Sequence, residues 1–128
     1  MKANFTAAHG YQSDALNLPV ANLDEAIPFY ETVMGFSVIA RHDTPHPAAI
    51  LGRDEIKIGL AENGGDPTQD GSFFAVDNIE TAFAELKANG LANAAPDYRL
   101  DKYGDTVWKV FFVAAPDELC YCLGEKQN

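Results

Sequence analysis

Cys120 and Cys122 stand two apart near the end of the chain, and a thiol becomes a strong nucleophile when a base or a positive field lowers its pKa. On a strand, residues two apart share a face with their side chains parallel, an arrangement in which a disulfide is strained. No histidine lies close to them in the chain, so the pair reads as reduced packing thiols. His42 and His46 have the spacing at which two imidazoles share one helix face and can grip a metal. Pro45 and Pro47 break any helix there, and the pair reads as turn decoration. His9 falls in a stretch read as an N-terminal tail and carries no signal. No Ser-His-Asp pattern, phosphate loop or dinucleotide fingerprint is present.

The aromatic residues offer a different chemistry. Trp108, Phe111 and Phe112 lie on one strand-like run, with Phe73 before them and Tyr98, Tyr103 and Tyr121 nearby. Alternation sends Trp108, Val110 and Phe112 to one face and Phe111 and Val113 to the other. One set must pack under a helix, which leaves the other free to stack on a planar ligand.

Charge narrows the partners. The 128 residues carry 9 Lys and Arg against 19 Asp and Glu, a net charge of -10. That balance repels phosphate, so neither nucleic acid nor an anionic membrane surface is an expected partner. No apolar run approaches the ~18 residues of a membrane span. The first residues lack the apolar stretch of a signal peptide, so the expected location is cytoplasmic.

The elements that must position these residues come in two copies. Val20-Ala21-Asn22-Leu23-Asp24-Glu25-Ala26-Ile27 is echoed by Val76-Asp77-Asn78-Ile79-Glu80-Thr81-Ala82-Phe83. One recurrence in so short a chain predicts a duplicated module, since a solenoid needs three or more repeats. In the first copy, Leu16, Leu18 and Val20 alternate as a half-buried strand, which must lie at an edge or leave Pro19 unpaired, because Pro19 has no amide hydrogen. Asn22 caps a helix with Glu25 three residues on, and Ala26, Ile27, Tyr30, Val33 and Met34 form its apolar stripe. Gly35 supplies a left-handed stop, and Pro28 predicts a kink or loose first turns. In the second copy Asp77 or Asn78 caps a helix with Ile79, Ala82, Phe83 and Leu86 as its stripe, and Gly90 ends it.

Strand-like runs follow each helix, at 36–41, 48–51 and 56–61, then at 98–100, 106–113 and 119–123. Each half thus reads strand, helix, strand, strand, strand. One helix covers only one face of a four-stranded sheet, so the expected class is α+β. Two βαβββ modules, about 13–62 and 71–125, set curved mixed sheets side by side with the helices outside and an open cleft inside. The domain spans 13–128 behind a tail of residues 1–12.

Leu23-Asp24-Glu25-Ala26, then Phe29-Tyr30, then Gly35-Phe36 resembles the opening of vicinal oxygen chelate proteins. That superfamily includes glyoxalase I, bleomycin-resistance proteins, fosfomycin-resistance proteins and extradiol dioxygenases. Phe111-Phe112-Val113, Ala115-Pro116-Asp117 and a last strand resemble its Asp-Pro-Asp-Gly turn with changes, so the resemblance spans residues 13–125. Enzymes of the family hold a divalent metal through His, Glu or Gln on the first and last strands of each module. The resemblance puts those positions at Ala15, Gly59, Gly71 and Cys122. Ala and Gly have no donor atoms, and one thiol leaves an ion almost wholly hydrated. No metal and no cofactor is therefore expected, and the small residues imply a roomier cleft. A register one residue over would match Asp14 with Asp70 as a carboxylate pair, but it turns Leu16 and Leu18 out of the core.

The function this implies resembles that of the bleomycin-resistance proteins. A small aromatic ligand, antibiotic or metabolite, is bound and sequestered without a metal and without catalysis. The acidic surface favours a cationic ligand. The expected ligand-binding residues are Trp108 and Phe73 for stacking, Asn17 and Lys57 for orientation, and Cys120 with Cys122 on a shared face. The rival readings are a lyase, isomerase or dioxygenase with ligands elsewhere in the chain, and an interaction module whose cleft its own side chains fill. The family resemblance also implies a homodimer, in which the linker Asn63 to Asp70 permits shared clefts or exchanged modules.

Overall fold

Both copies of the recurring segment open a helix in the same way. Asn22 Oδ1 accepts from the Glu25 amide at 3.0 Å and begins α1 (Leu23–Thr32). Asn78 Oδ1 accepts from the Thr81 amide at 2.9 Å and begins α2 (Ile79–Ala88). Each cap satisfies an amide with no partner inside the helix. Gly35 and Gly90, at φ +78° and +110°, end the two turns in the left-handed region. Pro28 sits inside α1 without the loosening expected of it, since the Ala26 amide closes the first turn on the Asn22 carbonyl at 3.0 Å.

A computed structural model describes residues 2–10, 16–66, 70–93, 95–116 and 119–127. The strands are β1 (Phe5–Gly10), β2 (Leu18–Pro19), β3 (Ser37–His42), β4 (Ala48–Arg53), β5 (Ile56–Ala61), β6 (Asp70–Val76), β7 (Arg99–Tyr103), β8 (Thr106–Ala114) and β9 (Cys120–Lys126). They form a four-stranded sheet in the order β2-β5-β4-β3 and a five-stranded sheet in the order β1-β6-β9-β8-β7. The pairs β2·β5 and β6·β9 are parallel and the rest antiparallel, so both sheets are mixed. The units β2-α1-β3-β4-β5 and β6-α2-β7-β8-β9 are the two βαβββ modules of an α+β fold. Pro19 lies on an edge strand, where its missing amide hydrogen is tolerated. No helix among the described residues is long and apolar enough to cross a membrane.

One apolar core takes in both helices and one face of each sheet. The Tyr30 and Tyr121 hydroxyls meet at 2.5 Å, joining α1 of the first module to β9 of the second, and Phe74 stacks on Tyr121 at 5.3 Å.

The tail expected over residues 1–12 is not a tail where it is described: Phe5–Gly10 is β1, paired antiparallel to β6. Its apolar residues are too few to announce a strand, and its hold comes from outside itself. Phe5 is fully buried. The Phe5 amide donates to Asp54 Oδ2 at 2.9 Å, and the Ala3 amide donates to Glu85 Oε1 at 2.9 Å. Between these acids lies Arg53, with a side chain only 2% exposed. Its Nη1 donates to Glu85 Oε2 at 2.6 Å and the Met34 carbonyl at 2.7 Å. Nη2 donates to Glu85 Oε1 at 2.6 Å and the Ala3 carbonyl at 2.9 Å, and Nε to Asp54 Oδ2 at 3.1 Å. Every guanidinium hydrogen is used. The clamp ties the β4–β5 turn of the first module, α2 of the second and the N-terminal strand into one knot. Leu16 also departs from expectation: it is 52% exposed and lies before the short β2.

Candidate functional site

The alternation of β8 is as expected. Phe111 and Val113 enter the main core, while Trp108 and Val110 join Phe73, Ala75, Cys122 and Ala7 in a second cluster on the opposite face of the five-stranded sheet. The ladders set His9, Phe73, Cys122 and Phe112 in a row across β1, β6, β9 and β8. Gly124 comes two residues later on β9. A Cβ added there would lie 2.7 Å from the Phe73 ring and 3.1 Å from Val110 Cγ1. The missing side chain lets Phe73 lie across β9 and meet Trp108 edge to face, with centroids 5.1 Å apart at 82°. His9, Phe73, Tyr103 and Trp108 enclose a recess of about 240 Å³ with apolar walls.

A polar clip edges this recess. Asp101 is the cross-strand partner of Trp108 on β7, and Lys126 is its partner on β9. Arg99 grips Asp101 with Nε at 2.7 Å and Nη2 at 2.9 Å. The Arg99 guanidinium lies 4.8 Å over the Phe112 ring. The hydrogen bond from Arg99, helped by the charge of the same guanidinium, holds the Asp101 carboxyl below its ordinary range against a smaller upward push from burial. Burial, and then the neighbouring Asp101 charge, push the Tyr103 phenol up. Because the folded-state value of Asp101 is lowered, the clip is intact above the ordinary carboxylate pKa of ~3.9 and is lost as pH falls through the lower folded value. Trp108 emission should therefore show an acid transition below about pH 3.9, and Asp101→Asn should abolish it; a transition surviving in the variant would assign it to another group.

Two of the expected residues, Trp108 and Phe73, line the recess together. Cys122 is buried between Phe73 and Phe112 in the ladder, Cys120 is half-buried beside Ala114, and neither forms a disulfide. Asn17 and Lys57 are not brought to the recess, because both belong with the other sheet. The Asn17 carbonyl and side-chain oxygen accept from Asn63 Nδ2 at 3.2 and 3.3 Å. Lys57 edges a separate cavity of about 340 Å³ with Lys2, Ser37 and Ile39. His9 and Tyr103 complete the walls. The sequence hides His9 because its strand carries little apolar patterning, and it shows Tyr103 only as an aromatic near the β8 run.

The positions where the resemblance would place metal ligands do not fit a metal. Ala15 lies outside the described residues. A Cβ at Gly59 would overlap the Leu16 carbonyl oxygen and sit 2.6 Å from its carbon, so backbone fills the space taken for a roomier cleft. A Cβ at Gly71 would meet the Tyr121 ring at 2.9 Å, whereas Phe73 packs in the other cluster. The ladder is irregular between Asp70 and Phe73, which breaks the simple alternation. Cys122 alone offers a donor. Among the described residues no three His, Cys, Asp or Glu side chains gather as a metal would need, His42 and His46 included.

The family model of the Glyoxalase/Bleomycin resistance protein/Dioxygenase superfamily matches residues 12–117. A bleomycin-binding protein solved in complex with bleomycin superposes with a TM-score of 0.67 at 20% identity, over 91% of this chain and 100% of that one. A superfamily member from Sphaerobacter thermophilus gives 0.66 at 18% identity, over 85% and 92% of the two chains. A virulence protein of Salmonella typhimurium gives 0.65 at 18%, over 90% and 96%. No curated protein matches the chain. At these identities the likeness to solved structures concerns the fold.

Proposed function

Because this chain belongs to the Glyoxalase/Bleomycin resistance protein/Dioxygenase superfamily, we propose that it binds a small aromatic molecule in the recess of Phe73, Trp108, Tyr103 and His9 and catalyses no reaction on it. The observation that carries this reading is the perpendicular pair of Phe73 and Trp108 on a sheet face turned away from the main core. A ring seated in that corner stacks on one partner and meets the other edge-on, each contact worth ~0.5–1.5 kcal/mol beyond area burial. At about 240 Å³ the recess is smaller than the roughly 300–1,000 Å³ of sites that engulf drug-sized ligands. It suits one fused ring system, the rest of the ligand lying outside.

The ligand class is an aromatic antibiotic or metabolite that the protein sequesters, a reading supported by the fold it shares with a bleomycin-binding protein. The net charge of -10 raises the local concentration of a cationic ligand. We place the protein in the cytoplasm as a homodimer, the assembly that the family resemblance implies. Light scattering should return twice the chain mass; a monomer at working concentration removes the dimer from the proposal.

Calorimetric titration with bleomycin, quinoline, acridine and naphthalene compounds tests the site. At least one should bind and quench Trp108, the chain's sole tryptophan. Trp108→Ala should then weaken it by about tenfold or more, equivalent to ~1.4 kcal/mol. No binding across the panel, or a stoichiometric divalent ion in protein purified without chelator, would overturn the reading.

A further inference from the structure

The clamp around Arg53 and the aromatic recess lie at opposite ends of one strand. Phe5 is in the clamp and His9 is in the recess, four residues or roughly 13 Å along β1. Between them the ladder is irregular. Phe5 pairs with Val76 and Ala7 with Ala75, so Thr6 is an extra residue on β1. That insertion decides which side chains meet the recess. With it, His9 lies opposite Phe73 and Ala8 opposite Phe74. If the bulge relaxed into a regular ladder from Phe5, Ala8 would come opposite Phe73 and His9 would leave the recess.

We propose that Arg53, Asp54 and Glu85 are positioning residues for the ligand site: by holding Ala3 and Phe5 they keep the Thr6 bulge in place and so set His9 as a wall of the recess. The proposal rests on reading that recess as the ligand site. Three observations bear on it. β1 is an edge strand with a neighbour on one side only, and such strands open readily. The clamp's hydrogen bonds to Ala3 and Phe5 all go to backbone atoms, which is what fixing register requires. The Arg53 guanidinium also lies 4.1 Å over the Phe5 ring, pinning the residue from which the register is counted.

The test reads acrylamide quenching of Trp108 and needs no ligand. Arg53→Met with Glu85→Leu removes the buried ion pair as a unit, a replacement that such pairs often tolerate, and frees Ala3 while leaving Asp54 as the one clamp acid, on the Phe5 amide. In this folded double variant the quenching constant should rise by roughly twofold as the edge strand opens, and His9→Ala should give a similar rise with the clamp intact. Deletion of Thr6 removes the bulge while keeping every ladder pair. In that background the clamp substitutions should no longer change quenching, a rescue that a merely stabilising role would not produce. Should the double variant fail to fold, Glu85→Gln is read in the same way. A folded clamp variant that quenches like the wild type, or a Thr6 deletion that does not rescue it, overturns the proposal. Either failure with an aromatic ligand still binding leaves the ligand site standing; the expected quenching pattern with no ligand bound by the wild type sinks the ligand site instead.

Discussion

Gly59→Ala is expected to lower stability by on the order of 3 kcal/mol or more, a fall in melting temperature of roughly 10 °C for a domain of this size. The added methyl would overlap the Leu16 carbonyl oxygen and approach its carbon at 2.6 Å and its Cα at 3.1 Å. All three are backbone atoms, and just beyond them Leu18 is fully buried and paired to β5. The obstacle therefore cannot rotate away, and relief requires moving the chain that enters the first module. Gly52→Ala is the control. Its Cβ would come 2.5 Å from Ile39 Cδ1, the tip of a flexible side chain that is 56% exposed. Ile39 can swing into solvent, so the cost should stay within about 0.5 kcal/mol. Thermal melts followed by circular dichroism measure both variants. Equal destabilisation by the two would show that the crossing of Leu16 over Gly59 is not the rigid contact described.

That crossing also marks where sequence reading stops. Caps, stops and stripes were legible because they are local: Asn22 and Asn78 hydrogen-bond three residues ahead, and Gly35 and Gly90 need only their own φ. The division of the β8 side chains into two sets was legible because alternation is a property of one strand; which set packs under a helix depends on the rest of the fold. The use of Gly59 was not, since a glycine that lacks a ligand atom and a glycine that lets another backbone pass look the same in a sequence. His9 was missed for a related reason. Its strand has little apolar patterning, and the clamp that orders it draws on Arg53, Asp54 and Glu85, far away in the chain. Asn17 and Lys57, expected to orient the ligand, do not reach the aromatic site. The two modules put β2 and β5 on one sheet and the aromatic strands on the other, a division that no single strand pattern reveals.

Glu85→Ala is expected to cost about 3–5 kcal/mol, the loss found when one member of a buried ion pair is removed. Glu85 accepts from two Arg53 nitrogens and from the Ala3 amide, so its removal leaves a cation whose side chain is 2% exposed short of two acceptors. Burial pushes the Arg53 pKa down, but the hydrogen bonds and charges of Glu85 and Asp54 outweigh it and leave the group above its ordinary value. In the variant one of those acids is gone, yet an arginine has no neutral form within reach. The penalty should therefore persist unchanged from about pH 6 to pH 9. Arg53→Met added to Glu85→Ala removes the stranded charge and should recover a large part of the loss, a coupling of about 1 kcal/mol or more in a double-mutant cycle. Denaturant melts of the two single variants and the double give that coupling directly. Additive losses would mean that the two side chains stabilise the fold independently, in conflict with the paired geometry between β4 and α2.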